Sequence, residues 1–112
     1  MDYKVVKASK VLTKLETYKM IVSDANISLG KDCEGLVLTP EVWVLYQTTD
    51  KDGKEIEVLS IMDGKDVYST ISETFKRHFF DILETFGEEV VPIVVIYGKS
   101  NNGRQFVTCN VA

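Results

Sequence analysis

The sequence predicts a mainly β fold, a five-stranded antiparallel barrel with one helix between strands 3 and 4. A helix-patterned stretch from Ile71 to Phe86 is followed by two strand-like runs, Val90–Tyr97 and Gln105–Val111. Other strand-like runs precede the helix, and strands do not alternate with helices, which argues against a parallel sheet. With 112 residues, of which 45% are hydrophobic, the chain fits one domain, residues 1–112, with its own core.

The first third of the chain has an ambiguous pattern. Tyr3–Ala8 and Tyr18–Ser23 are rich in β-branched and aromatic residues, as strands are. A helix also fits the spacing of Val11, Leu15, Tyr18 and Val22. We favour two strands joined by a bend, followed by a loop at Ser28–Gly35.

The middle of the chain predicts a β-hairpin. Val42–Thr49 and Glu55–Met62 are strand-like, and Asp52-Gly53 lies between them. This dipeptide is a strong hairpin signal because its residues tolerate positive φ. Met62-Asp63-Gly64-Lys65 then ends the second strand.

The helix has start and stop signals. Thr70 and Glu73 have the spacing of a capping box, in which each side chain accepts a hydrogen bond from the other residue's backbone amide. Gly87 follows the last helical residue and suits a C-terminal cap with positive φ. One apolar face is predicted from spacings of four and three; its members are Ile71, Phe75, Phe79, Ile82 and Phe86.

The C-terminal hairpin has a polar, positively charged loop. Val90–Tyr97 is a continuous apolar run, in which Pro92 must lie at the start or on an edge. Gln105–Val111 alternates, so Phe106 shares a face with Thr108 and Asn110. The loop Gly98–Arg104 contains no acidic residue, although the protein is acidic overall.

Charge is distributed unevenly along the chain. The net charge is −4, which argues weakly against a nucleic-acid partner. Residues 1–19 nevertheless carry +3, residues 20–75 carry −7, and the segment from Val90 onwards carries +2. Local patches decide where a polyanion binds, so both ends of the chain are candidate contact surfaces.

Sequence motifs for catalysis or cofactor binding are weak. His78 is the only histidine, and it belongs to a basic trio on the predicted helix. Asp50 and Asp52 begin like a calcium loop but lack its final Glu. Two cysteines, Cys33 and Cys109, are expected to be free thiols. We therefore predict a non-enzymatic protein without metal or cofactor. The lack of an apolar signal-peptide core or membrane span predicts a cytoplasmic protein.

Aromatic side chains are the better functional lead, because nucleobases stack on them regardless of sequence. Phe106 lies two positions from Arg104, so both side chains are expected on one strand face. Tyr97 lies beside Lys99 at the loop. Phe106 and Trp43 could each be a stacking platform or a packed residue, and the sequence leaves both readings open.

The element order matches an OB-fold, in which the loop between strands 4 and 5 binds oligonucleotides. The helix, the acidic break Gly87-Glu88-Glu89 and the stretch Gly98–Cys109 resemble small single-stranded-DNA-binding proteins of phages infecting Gram-positive bacteria. The resemblance covers about the last 45 residues. It implies an OB-fold, often dimeric, that coats single strands during phage DNA replication and recombination in the host cytoplasm. The chain departs from bacterial relatives by lacking an acidic tail.

From these features we predict sequence-tolerant binding of single-stranded DNA by a homodimer. The alternative is a protein-interaction module, such as a phage-encoded inhibitor or adaptor, that uses the acidic middle of the chain. The expected nucleic-acid-binding residues are Lys7, Lys10, Trp43, Tyr97, Lys99, Ser100, Asn101, Asn102, Arg104 and Phe106.

Overall fold

A computed structural model describes residues 2–112, and within them it shows a mainly β protein with two α-helices and eight strands in two sheets. The strands are β1 (Tyr3–Ala8), β2 (Ile27–Ser28), β3 (Val37–Leu38), β4 (Val42–Thr49), β5 (Glu55–Asp63), β6 (Asp66–Thr70), β7 (Ile93–Lys99) and β8 (Gln105–Val111). The helices are α1 (Lys14–Thr17) and α2 (Glu73–Phe86). The chain forms two compact units, one from residues up to Ser28 with Glu41–Ile71, the other from Leu29–Pro40 with Ser72–Ala112.

The first unit is built on a five-stranded sheet in the order β1-β4-β5-β6-β2. Strands β4 and β5 pair antiparallel from Val42 opposite Met62 to Thr49 opposite Glu55. Strand β1 lies at one edge, with an irregularity between Val5 and Lys7, and β2 pairs parallel to β6 at the other.

The hairpin predicted between β4 and β5 is confirmed. The amide of Gly53 donates to the carbonyl of Asp50 (3.0 Å), and the amide of Asp50 donates to the carbonyl of Lys54 (2.8 Å). Gly53 has a φ of 79°, a conformation that costs a residue with a side chain about 1–2 kcal/mol. The Asp50 carboxylate accepts the amides of Asp52 and Lys54, which fixes the turn.

The strand predicted at Tyr18–Ser23 is wrong, because that segment is helical. Thr13 caps α1 in a capping box with Glu16, and a π-helical turn, Tyr18–Val22, continues the helix. Met20 and Ile21 are buried in a cluster with Val44 and other residues of one sheet face. The hydroxyl of Ser60 in β5 donates to the Met20 carbonyl at 2.7 Å. The cap and this burial together outweigh the β propensity of the segment.

The second unit consists of the three-stranded sheet β3-β7-β8 and helix α2 packed on β8. Phe75 and Phe79 of the predicted apolar face are fully buried, whereas Ile71 precedes the helix and is 59% exposed. Gly87 follows α2 with a φ of 64°, which confirms the predicted positive φ at the helix end.

The predicted N-cap at Thr70 is wrong, and Ser72 caps α2 instead. The Ser72 hydroxyl accepts the Phe75 amide at 3.2 Å and donates to the carbonyl of Val107 in β8 at 2.9 Å. Thr70 is unavailable as a cap because it ends β6, opposite Leu59, where it is buried.

The closed five-stranded barrel with a helix between strands 3 and 4 is also wrong, although the mainly β class is confirmed. Closure requires the outer strands of a sheet to pair with each other. In the described residues β1 and β2 remain the edges of one sheet, and β3 and β8 those of the other. Helix α2 follows the sixth strand. The two-residue strands β2 and β3 are too short to give a detectable periodicity.

Candidate nucleic-acid interface

The loop between β7 and β8 is a tight, hydrogen-bonded turn. The Gly103 amide donates to the Ser100 carbonyl at 2.9 Å, and the Ser100 amide donates to the Arg104 carbonyl at 2.8 Å. Gly103 has a φ of 78°, so its backbone adopts the same positive-φ conformation as Gly53 in the β4–β5 turn. The Ser100 hydroxyl donates to the side-chain oxygen of Asn102. These bonds hold the loop in a shape that presents its side chains outwards.

Two cations lie at this turn. Lys99 is the last residue of β7, Arg104 precedes β8, and both are exposed. Neither forms an ion pair with any residue between positions 2 and 112. Lys99 pairs with Gln105, whereas Arg104 lies opposite Ser100, so the cations are one step apart along the hairpin. The turn nevertheless presents two uncompensated positive charges.

The two aromatic candidates of this hairpin lie on opposite faces. Tyr97 pairs with Val107, and Phe106 pairs with Gly98 one position away. Successive residues of a strand point to opposite faces, so Tyr97 and Phe106 cannot form one stacking surface. Both side chains are half-buried.

The ring of Phe106 covers Gly98. A methyl group at position 98 would lie 3.2 Å from Cζ and 3.5 Å from Cε1 of this ring. Because Gly98 has no side chain, the Phe106 ring can approach its backbone closely. Thr108, on the same strand face, is buried beside α2 and not exposed as the alternation suggested. Phe106 is thus both a packed residue and the aromatic nearest to Arg104 in sequence.

The remaining predicted residues belong to the first unit. Lys7 is exposed on β1, opposite Leu45 of β4. Lys10 forms an ion pair with Glu16 at 2.9 Å. The pKa of Glu16 is held below its usual value, first by the hydrogen bond from the Thr13 amide and next by Lys10. The charge that Lys10 could offer to a phosphate is therefore partly neutralised by Glu16.

Trp43 is a half-buried residue of β4 held by its backbone. Its amide donates to the Ser9 hydroxyl oxygen at 3.0 Å, and its carbonyl accepts a hydrogen bond from the Ser9 amide at 3.0 Å. It lies opposite Ile61, which is fully buried. The predicted set thus divides between the units, with Lys7, Lys10 and Trp43 in the first and the seven hairpin residues in the second.

The contacts of two polar residues of α2, Lys76 and His78, were not predicted from the sequence. Lys76 is buried, with 4% of its surface exposed, and its ammonium bonds Glu73 at 2.8 Å. His78 is half-buried, and its Nδ1 lies 2.8 Å from the Thr108 hydroxyl. A hydroxyl and an imidazole at this distance have the reach of a nucleophile and base. The Thr108 side chain is buried, however, so the pair ties α2 to β8.

Acidic residues gather at both turns of the β4-β5-β6 meander and not on one surface. Asp52 and Glu55 are exposed at the β4–β5 turn. Glu41 and Asp66 are exposed at the β5–β6 turn, where the Glu41 carboxylate accepts the Gly64 amide at 3.2 Å. The nine residues of β5 separate the two groups by roughly 30 Å.

A cleft of about 440 Å³ opens on the sheet of the first unit. Its floor includes Tyr46, Ile56 and Val58, and its rim carries serine and threonine hydroxyls and the carboxylate of Asp24. No basic residue lines it, so its chemistry does not suit a phosphate backbone.

Comparisons with protein-family models, curated proteins and solved structures returned no match to this chain. Among residues 2–112 no helix is long and apolar enough to cross a membrane. No group of three or more His, Cys, Asp or Glu in the described chain is placed to hold a metal ion.

Proposed function

We propose that this protein binds single-stranded DNA with little sequence preference, as a non-enzymatic coating protein. The observation that carries the proposal is the β7–β8 turn, where Lys99 and Arg104 are exposed and unpaired within residues 2–112. The segment from Val90 to the C-terminus contains no acidic side chain. Within this segment a phosphate backbone therefore meets positive side chains and no negative ones.

The side chains of the turn supply contacts suited to phosphate and base. The guanidinium of Arg104 can bind a phosphate with two parallel hydrogen bonds or stack on a base. Lys99 adds a second charge, and the exposed amide of Asn101 can donate to phosphate or sugar. Ser100 and Asn102 bond each other, so their part is to shape the turn.

Stacking in this proposal uses one aromatic on each side of the hairpin. Phe106 lies two residues after Arg104, on one face of the hairpin. Tyr97 lies on the other face. A single DNA strand that binds at the turn can therefore stack a base on Phe106 while its phosphates contact Arg104. Base stacking on one aromatic contributes about 1–3 kcal/mol.

The N-terminal candidates play a secondary part. Lys7 is exposed in a segment with a net charge of +3, whereas Lys10 must share its charge with Glu16. Trp43 is half-buried and backbone-bonded, which favours packing over stacking. The resemblance of the sequence supplies the proposed setting, namely phage DNA replication and recombination.

Fluorescence polarisation with labelled oligo-dT and with duplex DNA, at two salt concentrations, tests the proposal. We expect oligo-dT to bind more tightly, with a log–log salt slope of about −0.7 per phosphate contact. Arg104→Ala should weaken binding and reduce the slope, while Lys51→Ala at the other hairpin turn leaves both unchanged. Undetectable binding at low salt, or equal competition by duplex, would contradict the proposal.

A protein-interaction role is the second candidate, and the exposed carboxylates at the two turns favour it. Because the acidic groups lie at opposite ends of β5, a basic partner would have to contact one turn or span both. Charge reversal at one turn, Glu55→Lys, and at the other, Asp66→Lys, separates these cases. If neither change alters binding of a basic probe such as polylysine, the acidic-surface hypothesis fails.

A further inference from the structure

The cleft on the sheet of the first unit has the size and composition of a small-ligand site. Its volume of about 440 Å³ lies in the range of roughly 300–1,000 Å³ that such sites occupy. Apolar residues form its floor and polar residues its rim, which is the usual arrangement in these sites. Every residue that lines it belongs to the first unit, so the cleft is complete within that unit.

Two exposed apolar side chains border this cleft. Val22, at the end of the π-helical turn, is 42% exposed, and Ile71, directly after β6, is 59% exposed. They belong to different elements and line the same cleft. Contact of these side chains with water is unfavourable, and a ligand seated between them would remove part of it. The cleft therefore favours a ligand with an apolar body.

The floor of the cleft is apolar and uncharged. Tyr46 and Val58 are buried, and Ile56 is half-buried. Burial raises the pKa of the Tyr46 phenol, so this group stays neutral at physiological pH. Such a floor accepts a ring or a hydrocarbon chain, whereas a charged group would lose its hydration there without compensation. The charged end of a ligand must therefore lie at the rim.

One carboxylate gives the rim its charge. Asp24 is the only lining residue that is charged at neutral pH, and it forms no ion pair or side-chain hydrogen bond within residues 2–112. Its neighbours are held in place, since the Ser23 hydroxyl accepts the Ala25 amide at 3.2 Å and the Asn26 side-chain amide donates to the Met20 carbonyl at 3.2 Å. The half-buried Ser69 hydroxyl also lines the cleft and has no hydrogen-bond partner in the described chain.

The lysines of β1 lie outside this cleft. Strand pairing places Lys4 opposite Gln47 and Lys7 opposite Leu45. Gln47 and Leu45 alternate with Tyr46 along β4, so both lysines belong to the other face of the sheet. A neighbouring hollow contains two further lysines together with an acid, namely Lys19, Lys65 and Asp66. None of these cations lines the cleft itself, and its own charge is negative.

We propose that this cleft binds a small organic cation, an amine whose apolar body lies on the floor and whose ammonium group contacts the Asp24 carboxylate. An ammonium group is a donor only, so it matches the carboxylate and the hydroxyl oxygens of the rim. An organic anion would be repelled by Asp24 and would find no cation in the cleft. This binding function is independent of the β7–β8 turn, which belongs to the other unit.

A matched pair of compounds tests the proposal. Naphthylethylamine and naphthylpropionate share a ring system and have nearly the same length, but their end groups have opposite charges. Methyl NMR spectra of the full-length protein report binding in the cleft through the signals of Ile56 and Val58. We expect the amine to bind about fivefold more tightly at low salt. The preference is modest, and should shrink with added salt, because Asp24 is exposed and its attraction is screened.

Two variants, each with a control, separate the charge of the site from its shape. Asp24→Asn should abolish the preference for the amine, whereas Asp52→Asn removes the same charge from the exposed β4–β5 turn and should leave it unchanged. Ser69→Phe should weaken binding of both compounds by about tenfold, because the new ring fills the cleft. Thr49→Phe is its control, since Thr48 lines the cleft and Thr49 points to the opposite face. Thermal melts check folding, and the exposed, isosteric change Asp24→Asn decides the question if Ser69→Phe is unstable.

Several results would overturn this assignment. One is equal or tighter binding of naphthylpropionate, and another is an unchanged preference in Asp24→Asn. If neither compound at millimolar concentration shifts the methyl signals of Ile56 and Val58, the cleft does not bind organic cations. Oligo-dT affinity should be the same in all four variants, so the outcome does not depend on whether the protein binds DNA.

Discussion

At the level of single residues, several side chains of the second unit have a packing role and a chemical role together. Phe106 covers Gly98 and also lies two residues from Arg104. Cys109 is buried and its thiol points to the Phe75 carbonyl, with 3.9 Å between sulfur and oxygen. A substitution at such a residue changes stability and function at the same time, so each test needs two measurements.

Phe106→Ala should lower both stability and DNA affinity. The ring is half-buried, so we expect a loss of about 1–3 kcal/mol of unfolding free energy, less than the roughly 3–5 kcal/mol for a fully buried Phe. Affinity for oligo-dT should fall by about 1–3 kcal/mol with an unchanged salt slope, because stacking releases no counterions. Thermal melts and titrations are run side by side. A much lower melting temperature with normal binding by the folded fraction would show that Phe106 only packs.

The thiol of Cys109 should make stability depend on alkaline pH. Burial raises its pKa from 9.0 to about 12. Between these values the unfolded thiol loses its proton while the folded thiol keeps it, so the unfolding free energy contributed by this group falls as pH rises. Urea denaturation at pH 8, 9 and about 10 measures the effect. The stability difference between wild type and Cys109→Ala should shrink over this range, and a constant difference would contradict the assignment.

At the level of elements, the caps and turns determine where helices and hairpins begin. Ser72 starts α2, Thr13 starts α1, and two glycines at positive φ close the two long hairpins. Each of these positions carries a short-range sequence signal, and Ser72 also makes a tertiary contact, to the Val107 carbonyl. Their contributions can therefore be measured by single substitutions.

Ser72→Ala should destabilise the protein by about 1–2 kcal/mol. It removes the cap on the Phe75 amide and also the hydrogen bond to the Val107 carbonyl. Thr85→Ala in the same helix is the control, because its hydroxyl bonds only the Asp81 carbonyl at an exposed position. The control should stay within about 0.5 kcal/mol of wild type. Equal effects of the two changes in chemical denaturation would argue against a special role for Ser72.

Gly103→Ala and Gly53→Ala form a matched pair of turn substitutions. Both glycines have φ near 78°, and each should cost about 1–2 kcal/mol of stability on replacement. Only Gly103→Ala should also weaken oligo-dT binding, since it alone alters the turn that carries Lys99 and Arg104. Similar DNA affinities for the two variants would show that the β7–β8 turn does not carry DNA binding.

At the level of the whole molecule, the sequence predicted elements better than their assembly. The β4–β5 hairpin, helix α2 and the β7–β8 hairpin followed from long periodic runs and turn residues. The barrel did not, because β2 and β3 have two residues each and their partners lie far along the chain. The sequence predicts the charged turn at Lys99 and Arg104, whereas its strand at Tyr18–Ser23 is wrong because helix and strand patterns overlap in that segment.

The predicted homodimer is testable by light scattering at micromolar concentration. The apolar residues on the two faces of β4 and β5 cannot form its interface, because Val44, Leu45, Leu59 and Ile61 are already buried within the chain. A dimer must therefore use other surfaces. A stable mass near 12.6 kDa for wild type would contradict the homodimer.

The interleaving of the two units along the chain sets an order on folding during synthesis. Residues 29–40 leave the ribosome before β4, β5 and β6, yet β3 within them pairs with β7. Leu38 must wait for Ile93, about 55 residues later, which takes several seconds at roughly 5–20 residues per second. During that interval the sheet of the first unit can form while Cys33 and Leu38 are still without their final neighbours. Nascent chains should thus pass through a stage in which the first unit is protease-resistant and the segment 29–40 is cleavable.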